Sequence, residues 1–220
     1  MQRFFDILFS SFALILLSPF FLVIVLILKF TGEGEVFYLQ DRVGRFGKHF
    51  KVFKFATMLK NSSHLGTGTL TVKNDSRILP FGKFLRDTKI NELPQFLNVI
   101  LGDMSIIGPR PQAEKNFSLF SENVKRSIKQ VRPGLSGIGS IFFRNEEELL
   151  HNAHKDKEKF YKEVITPYKG DLEVWYIKNK TILLYFKLIL LTVLIVLNKS
   201  IKIDYKKWFE DLPEIPTYFQ

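Results

Sequence analysis

The sequence predicts a mostly helical α+β domain held to a membrane, and three observations carry that reading. Residues 7 to 28 are almost wholly apolar, interrupted only by Ser10, Ser11, Ser18 and Pro19; such a run is long enough for the ~30 Å hydrocarbon core of a bilayer. A single stretch, Glu35 to Phe55, sets two β-prone runs about a Gly-rich turn. The other patterned segments carry helical spacing and helix end signals. Composition agrees: the 220 residues are 46% hydrophobic and include 23 Phe, an apolar excess that suits contact with lipid. Lys+Arg 32 against Asp+Glu 22 leaves a formal charge of +10, which implies an anionic partner such as nucleic acid, acidic lipid or a phosphorylated substrate. The absence of Cys excludes disulfides, zinc–cysteine sites and thiol catalysis and fits a reducing compartment.

The apolar run is followed directly by Lys29-Phe30-Thr31-Gly32-Glu33 rather than by a small-residue cleavage site, so it reads as a retained anchor. Pro19 removes one backbone hydrogen bond and kinks the helix. The Ser18 hydroxyl is placed to satisfy a carbonyl that the kink frees. On the residues alone this is a kinked spanning helix. Next, Val36-Phe37-Tyr38-Leu39 and Phe50-Lys51-Val52-Phe53-Lys54-Phe55 form a hairpin about Gly44-Arg45-Phe46-Gly47. Residues 59 to 76 form a polar loop. Its Gly66-Thr67-Gly68-Thr69 start lacks the spacing of a P-loop, no dinucleotide fingerprint appears, and a mobile lid over a substrate is the reading left.

The stretch from Arg86 to Pro111 organises the chain. Asn91 reads as the N-cap of a short helix, Pro94 falls in its first turn, Phe96, Leu97, Ile100 and Leu101 make its apolar face, and Gly102 stops it. A helix start favours anions. Arg86 precedes it, and Arg110 follows in the stiff Gly108-Pro109-Arg110-Pro111 turn. Two guanidiniums with one metal-capable carboxylate, Glu92, suit a diphosphate with Mg²⁺. Each piece also has a plain structural reading: a cap, a solvated arginine, a dipole-complementing acid, a turn. Beyond it, Glu114 to Gln130 is a polar surface helix, and Arg132 and Arg144 are further phosphate-ligand candidates. Glu146-Glu147-Glu148 opens a helix, and the His151/His154 pair lacks further metal ligands nearby. Ile182 to Leu197 is short for a span and contains Lys187, so it reads as an interfacial helix, with a buried core helix as the alternative. The tail from Asp204 to Gln220 reads as loosely ordered, its aromatics on the membrane.

Ordered motifs across roughly residues 3 to 195 resemble the bacterial sugar transferases, the monotopic phosphoglycosyl transferases. They are Arg3-Phe4-Phe5-Asp6, Ser18-Pro19, Gln40-Asp41-Arg42-Val43-Gly44, Phe50-Lys51-Val52-Phe53-Lys54-Phe55, Asn74-Asp75-Ser76-Arg77 and Gly82-Lys83-Phe84-Leu85-Arg86. They continue with Glu92-Leu93-Pro94-Gln95, Gly102-Asp103-Met104-Ser105, Gly108-Pro109-Arg110-Pro111, Val131-Arg132-Pro133-Gly134 and Tyr176-Ile177-Lys178-Asn179. The resemblance implies transfer of a phosphosugar from a nucleotide sugar, most simply a UDP-sugar, to polyprenol phosphate, as the first membrane step of a surface polysaccharide or glycoconjugate. It implies Glu92 as Mg²⁺ ligand, with Arg86, Arg110, Arg132, Arg144 and Lys54 on substrate phosphates. It also implies a re-entrant membrane segment over residues 1–30, broken at Ser18 and Pro19, a cytoplasmic catalytic domain over 31–180, and an interfacial helix and tail over 181–220. That geometry keeps Arg3 and the Arg42, Arg45, Lys48 and Lys51 stretch on the cytoplasmic face of a bacterial inner membrane. The partners implied are nucleotide sugar, polyprenol phosphate and membrane lipid, with room for a homodimer. Nucleic acid is not among them, because the cations are spread through motifs rather than gathered on one helix.

Two departures stand out. The family usually carries an Asp-Glu dyad whose Asp is the covalent nucleophile, and here Asn91 precedes Glu92; Ala56 also replaces a usual Lys or Arg. Asn and Asp cap helices almost equally, but an amide is a poor nucleophile. Direct displacement by the prenyl phosphate, a relocated carboxylate (Asp87 or one of Glu146 to Glu148), or an inactive protein are the readings this opens. A non-catalytic membrane module that binds nucleotide sugar or lipid and recruits glycosyltransferases is the rival class.

Overall fold

The computed structural model describes residues 1–62, 75–152, 156–198 and 200–219. The loop read as a lid lies mostly outside them, as do Asn74 of its motif and His154 of the histidine pair. The described chain is mainly helical, with two small two-stranded sheets.

Helix α1 (Gln2–Phe30) is a single element. The helix-break-helix expected at Ser18-Pro19 is not expressed as two helices, because Pro19 deprives only the Ile15 carbonyl of its amide partner and Ser18 Oγ donates to that same oxygen at 2.8 Å. Both ends of α1 dock on the rest of the chain. Near its start, the Arg3 guanidinium donates to the Val99 and Ile100 carbonyls. Asp6, 2% exposed, accepts from Ser105 Oγ, the Ile106 amide and Tyr185 Oη. Near its end, Ile24 and Leu28 pack with Phe55 and Leu85. Between these anchors Phe12, Ile15, Leu16, Phe20 and Leu22 are exposed.

Strands β1 (Phe37–Val43) and β2 (His49–Phe55) pair antiparallel, from Phe37 opposite Phe55 to Val43 opposite His49, about the turn at Arg45–Gly47, as read from the sequence. Helix α2 (Pro80–Asp87) leads through a 3₁₀ turn (Ile90–Glu92) to α3 (Gln95–Leu101), which ends on Gly102 at φ +98°. The buried face of α3 is not the one expected. Gln95, Asn98 and Val99 are buried, whereas Leu97 and Leu101 are 39% and 68% exposed. Asn98 overrides the apolar pattern because its amide bridges to β2, accepting from the Phe53 amide and donating to the Lys51 carbonyl. Exposed leucines in that position suit a lipid-facing surface.

Strand β3 (Ser105–Ile107) pairs in parallel with β4 (Gly134–Ser136), a contact between chain segments no local signal announced. The pair requires Gly134, since a Cβ there would lie 2.1 Å from the Gly108 nitrogen. The segment expected as one polar helix divides into α4 (Glu114–Ser118) and α5 (Glu122–Ile128), the second capped by Ser121. After α6 (Ile138–Phe142), α7 (Glu146–Asn152) and α8 (Lys157–Phe160), a π-helical turn (Tyr161–Ile165) runs directly into α9 (Thr166–Lys178).

Helix α10 (Ile182–Leu197) is two-faced. Leu184, Tyr185, Leu188 and Leu191 join the main core, while Leu183, Leu190, Val193 and Leu197 are exposed. It therefore combines the interfacial and the core readings. The tail is better anchored than expected. Phe209 after α11 (Tyr205–Trp208) is 4% exposed and stacks edge-on against Trp175. Phe219 joins a cluster with Phe143 and Tyr168, and Tyr168 Oη donates to the Pro213 carbonyl. Phe209 enters the protein's own core, Phe219, Tyr205 and Trp208 pack against it, and Tyr218 stays 60% exposed.

Candidate active site

Lys89, at φ +61°, turns the chain out of α2, and the following 3₁₀ turn brings Asn91 and Glu92 inward. Asn91 is buried but does not cap α3. The residue before that helix is Pro94, and Asn91 Oδ1 has no hydrogen-bond partner among the described residues. The cap reading fails because Asn91 lies inside the 3₁₀ turn, with Leu93 and Pro94 between that turn and the helix. Glu92 Oε1 lies 3.0 Å from Arg110 Nη2 and 3.5 Å from Lys54 Nζ. Lys54 projects from β2, and Arg110 follows β3 and the Gly108-Pro109 turn, so three separate elements meet here.

The charges are unbalanced. Burial alone would raise the Glu92 carboxyl, but Arg110 and Lys54 outweigh it and hold it well below the usual carboxylate range. Burial, opposed by Glu92 and reinforced by Arg110, Arg42 and Arg86, brings Lys54 down to about 8. Burial and then Arg110 bring Arg42 down to about 10. Arg42, Lys54 and Arg110 thus crowd one carboxylate, an arrangement that a bound polyanion relieves.

These groups line one cleft of about 1170 Å³ with Arg86, Asn91, Arg144 and the relocated-carboxylate candidates Asp87 and Glu146. Ile195 and Val196 of α10 also line it, and Val196 is 49% exposed, so the cleft reaches the apolar outer face of that helix. Arg86, Glu92 and Arg110 therefore share a cavity that opens toward an apolar surface. Arg144 holds the Ile201 carbonyl through Nη2, while its buried Nη1 has no partner among the described residues. Arg132 is the exception among the phosphate candidates: it does not line the cleft, and its Nε donates to the Gly102 carbonyl at 2.8 Å. The C-terminus of α3 draws that cation away. Ser18 and Pro19 lie in α1 and are likewise outside the cleft.

Four residues were not read as site residues. Lys169 on α9 is buried and paired with Glu146, and Tyr161 beside it opens the π-helical turn; all three line the cleft. Glu173 Oε1 accepts the Arg110 backbone amide at 3.2 Å, its Oε2 has no partner among the described residues, and burial raises its carboxyl to about 7. Lys169 and Glu173 are one helical turn apart on α9, and that spacing of opposite charges is the available signal. Arg42, a cation of the hairpin and of the Gln40-to-Gly44 motif, also lines the cleft.

No group of three His, Asp or Glu residues able to hold a metal occurs among the described residues. Glu92 is a single ionised oxygen donor, which fits a Mg²⁺ ion that arrives with phosphate oxygens and keeps several waters.

A family model described as "Bacterial sugar transferase" matches residues 1–199. The "UDP-glucose:undecaprenyl-phosphate glucose-1-phosphate transferase" of Klebsiella pneumoniae is 39% identical over 197 residues, which is 87% of this chain and 39% of that protein. The "Exopolysaccharide production protein ExoY" of Rhizobium meliloti (strain 1021) is 37% identical over 159 residues, 66% of this chain and 70% of that protein. The "UDP-N-acetylgalactosamine-undecaprenyl-phosphate N-acetylgalactosaminephosphotransferase" of Aeromonas hydrophila is 32% identical over 199 residues, 90% of this chain and 44% of that protein. The chain thus spans about two fifths of the length of the Klebsiella and Aeromonas relatives and 70% of ExoY.

Proposed function

The chain belongs to the bacterial sugar transferase family, and on that premise we propose that it transfers a phosphosugar from a UDP-sugar to polyprenol phosphate in exopolysaccharide or related glycoconjugate assembly. The relatives named for such transfers support the reaction class. The observation that carries the reading is the cleft itself: Arg42, Lys54 and Arg110 crowd the carboxylate of Glu92, and Arg86 and the Ile195 and Val196 side chains of apolar α10 line the same cleft. A diphosphate supplies the missing negative charge, and a prenyl acceptor enters from the apolar side.

In this mechanism Arg110, Lys54 and Arg86 hold the diphosphate oxygens and offset charge that would repel an anionic attacker. Glu173 fixes the Arg110 backbone through its amide, and Glu92 orients the Arg110 side chain. A Mg²⁺ ion held by Glu92 would add Lewis-acid stabilisation of the phosphates. With an amide at position 91, the acceptor phosphate oxygen attacks directly. It forms a bond to the sugar-bearing phosphorus, the bond from that phosphorus to the bridging oxygen breaks, and that oxygen leaves on the nucleoside monophosphate. Asn91 binds rather than attacks: its buried Oδ1, without a partner among the described residues, accepts from an N–H or O–H of the substrate.

The same packing supports a reading of the membrane topology. A spanning helix puts its ends on opposite sides of the bilayer, yet the Asp6 end and the Leu28 end of α1 both pack against the same domain. That favours a re-entrant α1 whose exposed middle is immersed from the cytoplasmic side of the inner membrane. The test is release of UMP from a panel of UDP-sugars with and without prenyl phosphate and Mg²⁺. Release that requires the acceptor is expected. A protein-bound phosphosugar formed without acceptor refutes direct displacement, and no release from any sugar with acceptor refutes the transfer.

A further inference from the structure

A second basic cluster lies outside the cleft, where the start of α1, the end of α3, the hairpin turn and the start of α10 converge. Arg3 donates to the Val99 carbonyl at 2.5 Å and to the Ile100 carbonyl at 2.9 Å. Arg132 Nε donates to the Gly102 carbonyl just past the same helix end, at 2.8 Å. Arg45 Nε donates to the Gln130 carbonyl at 3.0 Å, and its guanidinium stacks 4.5 Å above the Phe46 ring. Lys180 stands just before α10. None of these four cations lines the cleft, and none makes an ion pair among the described residues. Arg132 Nη1 and Nη2 and the Lys180 ammonium make no hydrogen bond among them either. The carboxylate that acts on Arg132 and Lys180 is Asp6, which accepts hydrogen bonds from Ser105, Ile106 and Tyr185.

The cluster is only partly compensated. Burial lowers the Lys180 ammonium, Asp6 opposes that shift, and Arg45 and Arg132 add to it; Arg132 is lowered by burial and then by Arg3 and Arg45, with Asp6 opposing. The α3 carbonyls are dipoles rather than charges, so they orient the guanidiniums without neutralising them. Arg3 and Arg45 each precede an exposed phenylalanine, Leu183 lies three residues after Lys180, and Leu101 precedes the Gly102 whose carbonyl Arg132 holds. Phe4 is 65% exposed, Phe46 69%, Leu101 68% and Leu183 75%. Cations bordered by exposed aromatic and aliphatic side chains are the pattern of a surface lying at the headgroup level, where apolar tips enter the acyl region and the charges stay at the phosphates.

We propose that Arg3, Arg45, Arg132 and Lys180 form a binding site for the phosphate of an anionic phospholipid, with Phe4, Phe46, Leu101 and Leu183 set into the bilayer around it. The occupant is a bilayer lipid rather than the prenyl acceptor, because the site is separate from the cleft that holds Glu92. Its function is to fix the depth and tilt of the start of α1 and of α10 by charge as well as by apolar burial. The inference goes beyond the transfer reaction and stands on membrane attachment alone.

The test uses the full chain in nanodiscs of equal parts phosphatidylglycerol and phosphatidylcholine, released for native mass spectrometry. Retention of phosphatidylglycerol over phosphatidylcholine is expected. Each cation removed by Lys180→Gln or Arg45→Gln lowers that preference by about fivefold, the ratio expected for one basic residue at an anionic surface. Lys180→Arg restores it, and Lys206→Gln, an exposed cation elsewhere, leaves it unchanged. Equal retention of both lipids by the unmodified chain overturns the proposal, as does a preference that survives Lys180→Gln with Arg45→Gln. UMP release measured on the same preparations separates this result from any failure of the transfer reading.

Discussion

Lys54→Met is the perturbation that probes the charge balance of the cleft most directly. The Lys54 ammonium is 3.5 Å from Glu92 Oε1, and its side chain is 18% exposed. Two unit charges ~4 Å apart interact by about 4 kcal/mol at an effective dielectric near 20. Displaced water and the neighbouring arginines reduce the net contribution to about 2–3 kcal/mol, the range of a hydrogen bond to a charged group. Loss of a contact of that size between Lys54 and the diphosphate lowers kcat/KM by roughly 30- to 150-fold. The pH dependence gives an independent check. Lys54 is cationic below about 8 in the free protein, so kcat/KM, which reports the free enzyme, falls as pH rises through that value. A bound diphosphate favours the ammonium, so the corresponding limb of kcat lies at higher pH. Steady-state rates of UMP release across the range from pH ~7 to ~9.5 measure both limbs. A flat kcat/KM in the unmodified protein, or a Lys54→Met variant that keeps the alkaline limb, refutes the assignment of Lys54 to the phosphates.

Asn91→Asp places a carboxylate beside Glu92 and is expected to create acceptor-independent UMP release with a phosphosugar adduct visible by intact mass, both absent from the unmodified chain. Asp6→Asn leaves at least one buried donor among Ser105, Ile106 and Tyr185 without an acceptor. It lowers unfolding stability by about 2–3 kcal/mol, read by denaturation in detergent, with Tyr185→Phe costing about 1 kcal/mol. The Glu173 carboxyl is raised to about 7 from 4.5, so the folded state binds more protons than the unfolded one between those values. Stability therefore falls as pH rises through that window. Glu173→Gln removes the slope, and melting temperatures at the two ends of the window check it.

Much of the fold was legible because its signals are local. The apolar α1, the hairpin about Gly44 to Gly47, the stop at Gly102 and the helix from Ile182 each depend on residues within a few turns of one another. The Ser18 hydroxyl was readable for the same reason, since it answers a carbonyl three residues away. The association of Arg86, Glu92 and Arg110 was legible as an ordered set of motifs, and only Arg132 was misplaced with them, drawn to the end of α3.

What the tertiary structure alone decided are pairings between groups far apart in the chain. Asp6 meets Tyr185, Lys169 meets Glu146, and β3 meets β4 across residues with no periodic signal between them. Periodicity also named the wrong face of α3, because an amide bridge from Asn98 to β2 satisfied buried backbone groups that no leucine can. The aromatic tail, polar enough to read as loose, is held by the aromatics of α6 and α9. Local sequence fixes which elements form. Which charges share a cavity depends on backbone and buried polar groups finding partners once those elements are packed.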